Sequence, residues 1–462
     1  MKKKALALLT ATAMLALAAC GNDDSNDTNN DSTSPDGGDE QVTLSVASWT
    51  FGTEQDYNLE RAMIDAFEEE YPHITVEIDE SIDGADWNGS LSTAASAGNM
   101  PDLFMLAQVP TGLSNDWLLP LNEVTEGDAD FDNIPEAVRQ AVTYDEQAYA
   151  IPAAQHFLGY FVNKDLFEEA NLDAPSLGMS LDDFTDAVRS ITNINSGTVG
   201  LNHPHTILDW YPAAANEDLS WYTYSDESGF NISSNEFIAG VNLANSFMSN
   251  DYNYETLSED QKASFNGEDE NEVWFNGGIA FKWDGSYAAG IFGETATFDW
   301  DFVGIPGDRV VMTNDFFGIA QSTDHPEEAY LLAKWLSFGE DGFMKRMELV
   351  DGEEGYSLSS LPMTTNQTVL DSYFERVPVE GIKQAYENID QAVVEPVKTV
   401  PGYVQARWEA PTGISVGEEA NASIAALLDA AVRGEINIED YASQINELAN
   451  QKYEEGLQAI SE

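Results

Sequence analysis

The chain has 462 residues, 43% of them hydrophobic and 11% aromatic, enough for normally packed cores. Acidic residues number 82 against 19 basic ones, a formal net charge of −63, so nucleic acid or an anionic lipid surface would be repelled as a partner. One cysteine excludes an intrachain disulfide and leaves no His/Cys zinc cluster to be built with the five histidines.

The first segment reads as an export signal. Lys2, Lys3 and Lys4 precede an uncharged apolar run, Ala5 to Ala19, that is too short to span a bilayer and is followed at once by acids. Leu17-Ala18-Ala19-Cys20 resembles the lipobox of bacterial lipoproteins, which implies cleavage before Cys20 and lipidation of its sulfur. An ordinary signal peptide with an incidental cysteine is the alternative. Residues 20–41 are rich in Asn, Asp, Ser, Thr and Gly and hold no large apolar residue, as a flexible acidic tether does. With the signal at 1–19, the folded part is expected on the extracytoplasmic face of the membrane, anchored at Cys20.

About 420 residues remain, more than one hydrophobic core usually supports, so two domains are expected. "VTLSVASW" alternates Val42, Leu44 and Val46 as a strand does, and "NLERAMIDAFEEEYP" puts Leu59, Ala62, Met63, Ala66 and Phe67 on one helical face before Pro72. "ITVEI" is a second strand, so the start is a βαβ unit, which implies parallel pairing. A small-residue helix, "LSTAASAGNMP", and a buried strand, "DLFMLA", follow. "SLDDFTDAVRSI" opens with a capping pattern at Ser180 and Asp183, "HPEEAYLLAKWL" with Pro326 at a first helical turn, and the C-terminal stretch reads as two amphipathic helices. The class is α/β.

Chemistry is sparse. Phosphate-loop and dinucleotide glycine motifs are absent, so no cofactor is expected. Asp128, Asp130 and Asp132 have the spacing that starts an EF-hand loop, but Asn133 stands where that loop needs Gly and Arg139 where it needs Glu, so no metal is expected. Carboxylate pairs suited to glycoside hydrolysis can be picked anywhere among 82 acids and carry no information. The acids are spread along the whole chain, which favours a solvated surface adapted to high salt or high pH over a patch for a polycation.

The aromatics say more. Trp49 and Phe51 follow the first strand and Trp87 precedes the small-residue helix. His156 and Tyr160 follow "YAIPAA", Trp210 and Tyr211 stand in a dense ring-bearing group, Trp283 and Tyr287 flank "WDGSY", Phe316 lies in "NDFFGIA", and Trp408 precedes the last helices. Any one of them is explained by core packing. As a set they stand where an open α/β sheet presents ligands, and flat rings suit the apolar faces of sugars.

Several stretches in order are similar to the extracellular solute-binding proteins of family 1, the carbohydrate-binding subunits of ABC importers. They are "AASAGNMPDLFML", "WLLPLNEV", "YAIPAAQHFLGYFVNKDLFEEANLDAP", "FNGGIAFKWDGSY", "FFGIAQSTDHPEEAYLLAKWL" and "SLPMTTN". The resemblance implies a two-lobed periplasmic-binding-protein-like fold (type II), with an N-lobe of residues 42–152 plus 312–358 and a C-lobe of 153–311 plus 359–462. It implies hinge crossings near 153–158, 306–314 and 359–363, a sugar held between the lobes without catalysis, and permease subunits as partners of a monomer. Carried over by position, the ligand-binding residues are Trp49, Asp56, His156, Tyr160, Trp210, Tyr211, Trp283, Asp284, Tyr287 and Trp408. Leu106 and Val109 replace a tryptophan and an aspartate of the maltose-binding branch, and His156 replaces its glutamate, which points away from maltose. A surface-anchored glycan-active enzyme, or the same scaffold binding a quaternary-ammonium osmolyte, a polyamine or a peptide, are the competing readings.

Overall fold

The computed structural model describes residues 41–53, 55–353 and 355–461. The expected signal, Cys20 and the tether as far as residue 40 lie outside the described residues. Among the described residues no helix is long and apolar enough to cross a membrane.

The chain begins as its periodicity predicts. Strand β1 (Val42–Ala47) leads to helix α1 (Leu59–Glu70), whose N-terminus is capped by Asn58 accepting from the Arg61 N–H at 3.2 Å. Strand β2 (Ile74–Ile78) then pairs parallel with β1, from Val42 opposite Ile74 onward. Helix α2 (Trp87–Ala97) ends on Gly98 at φ +72°, a left-handed conformation that a side chain would strain, and strand β3 (Leu103–Leu106), buried throughout, joins the other edge of β1 in parallel.

The middle of the sheet departs from the parallel start. Strand β4 (Ile151–Asn163), β5 (Val199–Leu201), β6 (Ile279–Gly285), β7 (Trp300–Gly304), β8 (Val311–Ile319) and β9 (Val393–Val394) complete nine strands in the order β2-β1-β3-β8-β4-β6-β5, with β7 on β4 and β9 on β8. The two longest, β4 and β8, run antiparallel. Residues along β4 alternate between faces: Phe157 and Phe161 join one apolar cluster with Leu44, Phe67 and Trp335, while Tyr160 and Val162 join a second with Phe184, Phe237 and Leu427.

Between the clusters, three segments lie side by side. On one flank β4 pairs with β8 from Val311 opposite Leu158 to Asp315 opposite Ala154. The third segment is stitched on by Gln155, which is fully buried: its N–H donates to Ser360 Oγ at 3.0 Å, its carbonyl accepts from Leu361 at 2.9 Å, and its amide donates to the Pro362 carbonyl at 3.1 Å. Helix α3 (Leu181–Ile191) starts on Ser180, which accepts from the Asp183 N–H at 3.0 Å, and α4 (Pro326–Leu336) has proline in its first turn. The last two helices, α5 (Ile424–Val432) and α6 (Ala442–Ser461), bury Leu427, Leu428, Ile445 and Ala449.

Candidate functional site

A cavity of about 500 Å³ opens where β4 and β8 run together, within the range of small-ligand sites. Thr50, Asp56 and Asn58 of the loop after β1 line it, with Met105, His156, Asp315, Ser359 and Ser360. Residues directly opposite on antiparallel strands share a face, and the register sets Thr313 opposite His156. Asp315, two residues on from Thr313, returns to that face.

Each polar group there has a definite environment. Burial pushes the His156 imidazole down to about 4, with Asp315 and Lys398 pulling in opposite directions, so the ring is neutral at ordinary pH. Among the described residues its Nδ1 has no hydrogen-bond partner. Asp315 forms an ion pair with Lys398. Thr313 Oγ1 donates to Glu395 Oε2 at 3.0 Å, and burial, reinforced by Asp209 and Asp315, raises the Glu395 carboxyl to about 7 against the pull of Thr313 and Lys398. Asp209 is itself bonded to Arg407 at 2.8 Å, and the Arg407 guanidinium lies 5.4 Å from the Trp408 ring.

Tyr57 and Tyr356 are rings of the cavity lining; Trp49, Trp87, Tyr287 and Trp283 stand outside that lining. Trp49, 42% exposed, meets Trp87 edge-on at 4.9 Å, and the Trp87 indole N–H donates at 2.9 Å to the carbonyl of Met105, a cavity residue. Tyr287 is half exposed and its ring stands 5.2 Å from that of His156; burial and the neighbouring Asp284 push its phenol up to about 12. Trp283, on β6 opposite Tyr160, stacks at 6.2 Å on Trp221. Its backbone is held from both sides by Asn202, which accepts from the Trp283 N–H at 2.9 Å and donates to its carbonyl at 3.3 Å. Asn202 is fully buried and also donates to Glu270, the ion-pair partner of buried Lys282.

The structure brings Asp56 and His156 to the cavity wall, sets Tyr287 beside His156, and ties Trp49 and Trp87 to the wall through Met105. Asp284 adjoins Tyr287. It places Phe51, Tyr160, Trp210 and Phe316 inside the apolar core, each 1% exposed or less, with the Trp210 indole donating to Tyr160 Oη at 3.2 Å. Tyr211 is half-buried against Gly240, and Trp408 packs on Tyr403 at 5.7 Å. Sequence reading missed Thr313, Asp315, Glu395, Lys398, Arg407 and Asn202. A weak signal existed for two of them: Thr313 and Asp315 belong to a polar run, Thr313-Asn314-Asp315, inside a strand that is otherwise largely apolar.

Metal ligation has no support at the acidic run 128–132. Lys334 of α4 occupies it, its Nζ 2.8 Å from Asp128 and 2.9 Å from Asp130, with the Tyr330 hydroxyl donating to Asp128 at 2.9 Å. Burial pushes the Asp128 carboxyl up, but these bonds outweigh it and hold it below the ordinary carboxylate value. Among the described residues no three His, Cys, Asp or Glu side chains converge to hold a metal ion.

Comparison with solved structures finds the same α/β, two-lobed fold. An ABC substrate-binding protein from Listeria monocytogenes, solved with cycloalternan, is 19% identical, with a TM-score of 0.64 over 89% of this chain and 99% of that one. A cyclic α-maltosyl-1,6-maltose binding protein from Arthrobacter globiformis is 16% identical, with a TM-score of 0.63 over 90% and 100%. The GacH receptor of Streptomyces glaucescens, solved unliganded and with acarbose, is 16% identical, with a TM-score of 0.62 over 90% and 99%. A search of curated protein sequences finds no significant match. Residues 52–338, more than half of the chain, match the family described as bacterial extracellular solute-binding protein, and with this fold and cavity the chain belongs to that family.

Proposed function

We propose that this protein captures an oligosaccharide or related sugar between its two lobes and delivers it to the permease subunits of an ABC importer, without altering it. The observation that carries the reading is the composition of the cavity: the rings of Tyr57 and Tyr356 line it together with the hydroxyls of Thr50, Ser359 and Ser360, the His156 imidazole and the carboxyl groups of Asp56 and Asp315, and the half-exposed Tyr287 ring stands against His156. Rings take the C–H faces of a sugar while the polar groups take its hydroxyls. Solved relatives that bind cycloalternan, acarbose and maltotetraose support the ligand class.

The lobes we assign are residues 42–152 with 312–358, and 153–311 with 359–462. Ligand that touches both lobes binds the closed form better and shifts the population towards it, the hinge behaviour of binding proteins. We further assign Cys20 as the lipid anchor and residues 20–41 as the tether that keeps the protein near its transporter; replacing Cys20 by alanine is expected to release the protein from the membrane fraction.

The reading is tested by tryptophan-fluorescence titration and calorimetry of the wild type and Trp49→Ala against maltotetraose, cycloalternan, acarbose and tagatose, with betaine, choline and spermidine as competitors. Saturable binding of a sugar, weakened about tenfold by Trp49→Ala with an unchanged melting temperature, is the expected result. Saturation by the cations alone would replace the sugar with an amine as cargo. Hydrolysis of any panel member would make the protein an enzyme.

A further inference from the structure

Glu395 follows β9, and its N–H donates to the Met312 carbonyl at 2.7 Å, which carries it over the hinge half of β8. Its side chain meets Thr313, and Thr313 shares a face with His156 and Asp315, both of which line the cavity. The carboxyl therefore lies on the face of β8 that carries Asp315, beside the residues that line the cavity. Oε2 accepts from Thr313, whereas among the described residues Oε1 makes no protein hydrogen bond.

The neighbours that face Glu395 are already committed. Lys398, one turn further along its own segment, is paired with Asp315 of β8. From the helix Ile207–Ala215 comes Asp209, which is bonded to Arg407. Tyr403 approaches with a buried hydroxyl that has no hydrogen-bond partner among the described residues, and His156 is neutral. No uncommitted cation among the described residues meets Glu395, and two carboxylates do. An acid in that company is most stable with its proton, and a protonated acid offers both a donor and an acceptor, the pattern that complements a hydroxyl.

We propose that Glu395 is a specificity-determining residue of the cleft, its unbonded carboxyl oxygen taking a ligand hydroxyl at the hinge. The assignment rests on the sugar reading above. A consequence distinguishes it from a purely structural role. Closing the lobes removes water from around Glu395, so the ligand-bound state holds the proton more firmly than the open state. Affinity is then highest below neutral pH and falls as Glu395 ionises in the free protein.

The test titrates wild type, Glu395→Gln and Glu395→Ala with maltotetraose, cycloalternan and acarbose from pH 5.5 to 8.5. For the sugar that binds, the wild-type Kd is expected to rise about fivefold between about pH 6 and 8, as one pKa unit of differential protonation from a value of about 7 requires. Glu395→Gln, which keeps a donor and an acceptor and cannot ionise, is expected within about threefold of the wild type at about pH 6 and flat above it. Glu395→Ala is expected to bind about ten- to a hundredfold more weakly throughout, since it leaves ligand hydroxyls unpaired. Binding that Glu395→Ala leaves intact, or the same pH profile in Glu395→Gln as in the wild type, overturns the assignment alone. No binding by the wild type at any pH overturns the sugar reading and this assignment with it.

Discussion

Lys334 and Lys398, two of the lysines that stand among carboxylates, are used differently. Lys334 reaches from helix α4 to Asp128 and Asp130 together, while Tyr330 satisfies Asp128 from the same helix, so every group has its partner. Lys398 reaches Asp315 and leaves Glu395 to a threonine, with one carboxyl oxygen unbonded and the proton retained to about pH 7. The first cluster is closed and lies away from the cavity. The second is incomplete, and its Asp315 lines the cavity. Composition alone does not separate the two, since each is a lysine with nearby acids; what separates them is whether the local fold leaves a polar valence unspent.

That contrast is open to attack, beginning with the largest effect. Lys334→Met strips the cation from two acids with little exposure and should destabilise the protein by about 2 kcal/mol, below the loss for a fully buried pair, without changing ligand affinity. Urea unfolding and calorimetry check this; weakened binding at undiminished stability would erase the distinction between the clusters. Lys398→Met is expected to do the reverse: an affinity loss of about tenfold with less than about 1 kcal/mol of stability, because it removes one ion pair where Lys334→Met removes two. The smallest effect concerns His156. Its imidazole titrates near 4 in the folded chain against 6.5 in the unfolded one, so the unfolded state takes the proton first and wild-type stability falls as pH drops from about 6.5 towards 4. His156→Gln cannot titrate, and its stability curve should be flatter by about 1 kcal/mol between about pH 6.5 and 5.5. Parallel curves in thermal melts at stepped pH would show that the ring is not desolvated as described.

The same distinction explains which site residues were legible in the sequence. Ring type and position at a strand end singled out Trp49, Trp283 and Tyr287, and the structure leaves each of these rings partly or half exposed. Trp210 and Tyr160 gave the same local signal, yet they close on each other through an indole-to-hydroxyl bond inside the second apolar cluster. An aromatic after a strand is equally consistent with either fate, because exposure depends on what packs over it from distant chain segments. Glu395 and Thr313 gave no joint signal, since eighty-two residues separate them along the chain.

Local physics was written in the sequence itself. Alternating Val42, Leu44 and Val46, the caps at Asn58 and Ser180, and Pro326 in a first turn set elements whose stabilising contacts fall within a few residues. Six ordered motifs carried the family and its two-lobed architecture. Only the tertiary structure decided that the sheet turns antiparallel at β4 and β8, that Lys334 fills an acidic run resembling a cation loop, and that β9 brings Glu395 over the face of His156. Those outcomes depend on register and on pairings between remote segments, and a strand moved by one residue would turn every one of these side chains to the opposite face.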